Sequence, residues 1–379
     1  MLRFILLILL LLISLLTIIK APTYQLWLMA IMATEYSIIF IGVIILLLLS
    51  GWWVNKYQLM GTITGIIALL LFARPLASAY TIGRHLKSDL DKAFVTPVHT
   101  HQKQSDTAAP FSFTALFKSS PAMKFKSFTY ITYADTSLSL DFYPAQAKDK
   151  RPCVIIIHGG SWSSGDSRQL PELNTRLSQL GYNVASINYR LAPKWQNPAP
   201  VQDVMAALHY LRSHADELQI DTSRFVLLGR SAGAQIALLA AYTLPRDVGI
   251  KGVINFYGPA DMVWGYSIPS PKLVMDSRRV MANYLGGYYP KVPQNYKASS
   301  PIEFVNRQTV PTLLIHGAND VLVAYEHSDR LSVRLGQNGV PHYWLQLPWA
   351  THGFDYHLNG PGGQLSTYAV AQFLDKVVD

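Results

Sequence analysis

The sequence predicts an α/β fold in its C-terminal two thirds, a mostly parallel central sheet with helices on both faces, preceded by N-terminal transmembrane helices. Three observations carry that reading. From residue 123 onward, short apolar runs alternate with helix-compatible segments between Gly and Pro boundaries. Several of those runs are continuously apolar, as strands covered on both faces should be. Ahead of them, residues 2–73 carry three long apolar stretches.

The first stretch, residues 2–19, is interrupted only by Arg3, Ser14 and Thr17. The second, 38–49, is apolar apart from Gly42 and extends back toward Trp27 past Glu35 or forward through Trp53. Both meet the roughly 20 apolar residues that a helix needs to cross a bilayer. The third, 59–73, is softened by Thr62, Thr64 and two glycines; it is either a short span or a helix packed on the others. A cleaved signal peptide is the simpler alternative for the first stretch. Lys20-Ala21-Pro22-Thr23 is no small-x-small cleavage site, and more apolar segments follow, so retained helices are expected. Trp27, Trp52, Trp53 and Tyr57 fall near the expected helix ends, where indoles and phenols favour the membrane interface.

With three spans, Arg3 and Lys56 share one side, while Lys20, Arg74, Arg84, Lys87 and Lys92 share the other with the C-terminal domain. The positive-inside tendency then puts that domain in the cytoplasm. The expected organisation is a membrane region of two to three transmembrane helices at 1–75, a juxtamembrane segment and linker at 76–122, and a single α/β domain at 123–379. His85, His99 and His101 fall in polar sequence with no Cys or paired carboxylates, so they are read as solvated and no metal is expected.

The net charge of +9 divides evenly, with nine basic and four acidic residues up to residue 120 and 23 and 19 beyond it. No basic run interleaves with aromatics, so nucleic acid is not an expected partner. The basic residues from Arg74 to Lys92 suit contact with anionic lipid instead. Cys153 is the single cysteine and excludes an intrachain disulfide.

In the domain, 129–143 alternates loosely and reads as an antiparallel hairpin. Strands are expected at 153–157, 184–188, 224–228, 252–256, 312–315 and 343–347, with helices at 203–212, 234–242, 325–335 and 365–378. Gly229-Arg230-Ser231-Ala232-Gly233 lies between a strand and a helix, where a tight turn between small neighbours would hold a serine hydroxyl clear of the sheet. The Ala232 N–H could then point at a developing oxyanion. His158-Gly159-Gly160-Ser161-Trp162 directly follows the 153–157 strand; Gly159 and Gly160 are the candidate backbone donors, and His158 a residue that holds the loop. Asp320, in His316-Gly317-Ala318-Asn319-Asp320, is the candidate acid, with Asp329 in a helix as the weaker choice. His352, in Thr351-His352-Gly353-Phe354, is the candidate base, with His357 its competitor. The other histidines, His209, His214, His327 and His342, read as ordinary core-edge or surface residues.

Taken together, these residues resemble the α/β-hydrolase superfamily, in particular its hormone-sensitive-lipase-like and carboxylesterase-like branches, over residues 128 to the C-terminus. Ser161 stands where many such esterases carry a further glycine, and Arg230 where lipase-like members often have Asp. Trp162 is similar to the His-Gly-Gly-x-Trp form of kynurenine-formamidase-like and prenylcysteine-methylesterase-like enzymes. Tyr189-Arg190-Leu191-Ala192-Pro193, with Asp203 after it, resembles a structural signature of the same group. The resemblance implies two-step acyl transfer at Ser231 with no cofactor, acting on a small-molecule or lipid-derived ester. An arylformamidase-like or peptidase-like amide hydrolase and a catalytically silent membrane scaffold are the alternatives. Residues 257–300, rich in Tyr, Trp and Pro, are either a cap over the site or a packed insertion.

Overall fold

A computed structural model describes residues 1–53, 57–94, 109–119, 123–147 and 149–378. Lys56, His99 and His101, and the side chains of Trp52 and Trp53, lie outside the described residues.

Four helices come first: α1 (Leu2–Ser14), α2 (Tyr24–Glu35), α3 (Ser37–Leu49) and α4 (Gln58–Ala93). α1, α3 and α4 pack as a bundle. Arg3 at the start of α1 donates to Leu47 O at 2.7 Å and to Thr62 Oγ1 at 3.3 Å, and Arg74 of α4 donates to Thr17 O at 2.7 Å. α1 therefore runs parallel to α4. α3 runs the other way, with Phe40 stacked on Phe72 at 4.7 Å between ring centroids. α2 stands apart, at 79° to α3. α4 is long and apolar enough to cross a membrane, and α2 with α3 passes the same test as a bent pair.

α4 continues unbroken through Pro75. Proline has no N–H to offer the carbonyl four residues earlier. Thr17 Oγ1 donates to that carbonyl, Leu71 O, at 3.2 Å, so it stays satisfied. The expected juxtamembrane segment and linker at 76–122 is thus corrected at its start, because 76–93 is the second half of α4. Leu76, Ala79, Gly83, Leu86 and Leu90 recur at intervals of three and four, which makes one apolar face, and that face is buried.

The domain runs β1 (Lys126–Thr132), β2 (Ser137–Tyr143), β3 (Arg151–Ile157), α5 (Pro171–Gln179), β4 (Asn183–Ile187), α6 (Ala199–Ser213), β5 (Ile220–Arg230) and α7 (Ala232–Thr243). It continues with β6 (Ile250–Phe256), α8 (Met262–Ser267), α9 (Ser277–Leu285), α10 (Pro293–Ala298), β7 (Thr312–Gly317), α11 (Glu326–Gln337), β8 (His342–Leu347) and α12 (Pro361–Val377). The eight strands lie in the order β1-β2-β4-β3-β5-β6-β7-β8. β2 pairs antiparallel with β1 and β4; every other pairing is parallel.

The central strands are buried on both sides because their residues alternate between two cores. Cys153, Ile155 and Ile157 of β3 join α6, α7 and α11 on one face. Val154 and Ile156 join α5, α12 and the second half of α4 on the other. Parallel strands with both faces covered place every strand-to-helix loop at one rim, and that rim carries the candidate residues.

Candidate active site

Ser231 sits at the tip of β5, with φ 52° and ψ −121°, outside the regions open to most L-residues. Its neighbours must be small for this turn to close. A Cβ on Gly229 would lie 2.2 Å from Gly233 O, and one on Gly233 would lie 2.2 Å from Ile157 O. The Ser231 N–H donates to Phe256 O at 2.9 Å, which ties the turn to the end of β6.

Asp320 and His352 come from the loops after β7 and β8, the two strands beyond β6. His352 Nε2 is 2.9 Å from Ser231 Oγ, and His352 Nδ1 is 2.7 Å from Asp320 Oδ2. Asp320 is fully held. Its Oδ1 accepts the N–H groups of Leu322 and Val323 at 2.8 and 2.9 Å, and Oδ2 also meets His316 Nε2 at 3.1 Å. Burial alone would raise its carboxyl, but the imidazoles of His352 and His316 hold it well below the usual carboxylate range. The anion thereby fixes the tautomer of His352 with Nε2 free to accept the serine proton. His357 is not at this position; it stacks on Tyr36 at 4.3 Å. Asp329 is exposed on α11.

The glycine loop needs one correction. The Gly159 N–H donates to Gln169 Oε1 at 2.7 Å and is not free to meet an oxyanion. Gly160 has φ 119°, and a Cβ there would lie 2.0 Å from Ser164 O, so only glycine fits. Its carbonyl accepts from Ser163 and Ser164, which closes the turn. The Gly160 and Ala232 N–H groups meet no protein acceptor among the described residues, and Ala232 lines the pocket beside Ser231. His158 does hold the loop: Nδ1 bonds Gly159 O at 2.7 Å, and the ring stacks on Tyr189 at 4.3 Å. Burial pushes its imidazole down to about 4, so it is neutral near pH 7.

The cavity at Ser231 is small, about 50 Å³, and opens to solvent. Segment 257–300 supplies one wall through Met262, Ile268, Met275, Val280 and Met281. Its aromatics do different work. Tyr284 stacks on Trp162 at 4.5 Å, and Tyr266, Tyr289 and Tyr296 pack on one another. The segment is therefore both cap and packed insertion, with aliphatic and thioether groups facing the cavity. His327 also lines it, from a buried position on α11.

Three partners were not legible from local sequence. Gln169 and His316 support the loop and the acid as described. Trp27 of α2 donates its indole N–H to His352 O at 3.0 Å, across 325 positions. Arg190 and Asp203 pair at 2.9 Å, and neither lines the cavity at Ser231.

The strand order, the elbow after β5 and the order Ser, Asp, His along the chain are those of the α/β-hydrolase fold. The chain belongs to the BD-FAE family, whose model matches residues 140–335. It is similar to Esterase LipC of Mycobacterium tuberculosis, 30% identical over 244 residues, covering 60% of this chain and 58% of that one. Carboxylesterase NlhH of the same species is 38% identical over 110 residues, 28% of this chain and 34% of that one. The chain spans between half and three fifths of the length of the first curated relatives it matches. Among solved structures, a bacterial heroin esterase superposes with TM-score 0.60 at 23% identity, over 77% of this chain and 93% of that one. A Pyrobaculum calidifontis esterase gives 0.58 at 21%, over 79% and 94%. These likenesses establish the shared fold.

Proposed function

We propose that this protein is a membrane-anchored serine hydrolase of carboxylic esters, with Ser231 as nucleophile, His352 as base and Asp320 as the anion that orients it. The observation that carries this is the unbroken series from Ser231 Oγ to His352 Nε2 at 2.9 Å and from His352 Nδ1 to Asp320 at 2.7 Å, set at a strained elbow. Ser231 Oγ attacks the ester carbonyl while His352 takes its proton. The N–H groups of Gly160 and Ala232 stabilise the oxyanion, each on the order of 3 kcal/mol in the transition state. His352 returns the proton to the leaving alcohol, and water then repeats the attack on the acyl-enzyme.

The test is turnover by the detergent-solubilised protein across p-nitrophenyl esters of rising chain length and matched formyl-anilides, with Ser231→Ala as control. Esters should turn over faster than anilides, and the variant should lose activity while remaining folded. Faster anilide cleavage would favour the amide reading, and full activity in the variant would remove Ser231 from the mechanism.

The anchoring reading is supported by the bundle of α1, α3 and α4. Residues 58–75 of α4 alone span about 27 Å at 1.5 Å per residue, close to the roughly 30 Å of a hydrocarbon core. Lys20 and Arg74 lie at the domain end of that bundle and Arg3 at the other. A cytoplasmic-facing domain follows from that charge bias. Protease should then reach the domain in sealed inside-out vesicles and not in right-side-out ones; the reverse pattern inverts the orientation.

A further inference from the structure

The pocket and the N-terminal helices share a wall. Met275 and Leu322 line the cavity at Ser231 and also pack into the cluster built by Leu16, Ala21 and Trp27. The Tyr24 N–H, at the start of α2, donates to Leu273 O in the cap at 3.0 Å. Leu273 itself is 73% exposed, and Ile268, on the cavity wall, is 50% exposed. From that junction Tyr24, Leu28 and Met32 follow along α2 at i, i+4 and i+8, all exposed. α2 has no charged residue on this face; its one charge, Glu35, is buried. The adjoining side of α2, one step round the helix, meets the loop of the candidate base, through the Trp27 indole on His352 O and Ile31 against Gly353.

An apolar stripe of this length facing water is unfavourable. α3 also exposes apolar side chains, among them Ile39, Val43 and Leu46. Exposed basic residues flank the cap tip, namely Lys272, Arg278 and Arg279, with Lys20 just before α2; Asp276 is the acidic residue among them. Apolar tips ringed by Lys and Arg match the headgroup and acyl boundary of an anionic bilayer.

We propose that α2 and the tip of the cap lie in the bilayer surface, and that the substrate is a lipid ester resident in that bilayer, entering the pocket across Leu273 and Ile268. The proposal rests on the ester-hydrolase reading above. The acyl C–O bond of the lipid breaks as the acyl group passes to Ser231 Oγ. The lipid alcohol leaves with the proton from His352, and one water supplies the oxygen and hydrogen that release the fatty acid.

The full chain is tested in vesicles of phosphatidylcholine and phosphatidylglycerol that also carry dioleoylglycerol, beside water-soluble p-nitrophenyl acetate. Leu273→Asp should keep p-nitrophenyl acetate turnover within about twofold and lower dioleoylglycerol turnover about tenfold or more, since a carboxylate resists the acyl boundary. Equal loss on both substrates, or no loss on the lipid, overturns the proposal. So does a wild-type protein that cleaves only the soluble ester. A second measurement stands apart from activity. Leu273→Cys carries a nitrobenzoxadiazole label, the native Cys153 being buried. Quenching by doxyl-labelled lipid is expected; a label that stays unquenched overturns the placement. A wild-type protein inactive on both esters with a quenched label would fail the hydrolase reading and leave the membrane placement standing.

Discussion

Arg230, the second residue of the elbow, turns away from the pocket. It is 2% exposed, its Nε lies 2.5 Å from Asp355 Oδ2, and its guanidinium lies over Phe256. Asp355 also accepts the Tyr257 hydroxyl, and the Tyr257 ring sits 4.3 Å from the His352 ring. A buried ion pair thus holds the ring that packs on the imidazole. Asp355→Asn would leave a buried guanidinium without its counter-charge, a loss of about 3–5 kcal/mol. Urea unfolding measures this, and a loss below about 1 kcal/mol would contradict the pairing. Ser231, Asp320 and His352 were legible because each lies in a short local pattern at a strand end. Asp355 was not, because its partner is 125 positions away and nothing in either local sequence marks the match. The Gly159 donor was misread for the same reason. The amide of Gln169 takes its N–H, and a glycine pair alone does not say which N–H stays free.

Apolarity in the first 75 residues was plain, but what those helices touch was not. α2 reads as an extension of a membrane span; it is a separate helix seated on the loop of His352. Its Trp27 looked like an interfacial indole, and its N–H is donated to a backbone carbonyl of the site. Trp27→Phe keeps most of the ring packing and removes that donor, a loss of about 1 kcal/mol at this contact. If the bond holds the imidazole in register, kcat falls several-fold, about what 1 kcal/mol implies, while KM and the thermal midpoint stay near wild type. A fall in the thermal midpoint with kcat unchanged would reduce Trp27 to packing. α5 was missed outright, since Leu173 and Leu177 are the only leucines in its polar sequence. The second half of α4 was missed because Pro75 and a charged tail concealed the heptad-like spacing below them.

At the scale of the molecule, the domain and the apolar helices are one packed object. α4 enters the core that α5 and α12 form on one face of the sheet, and Glu35 at the end of α2 accepts the Gly362 N–H at 2.8 Å. The parallel sheet was legible because burial on both faces forces continuous apolar strands, a pattern that needs no knowledge of partners. The docking of the helices depends on single polar contacts between distant segments, and these leave no periodicity. The account as a whole stands on the reactivity of one hydroxyl. Intact mass and peptide mapping of the protein treated with a fluorophosphonate probe read it directly. A single adduct on the peptide bearing Ser231, absent from Ser231→Ala and lost on denaturation before treatment, is the predicted result. An unlabelled native protein, or an adduct that persists in the variant, would contradict it.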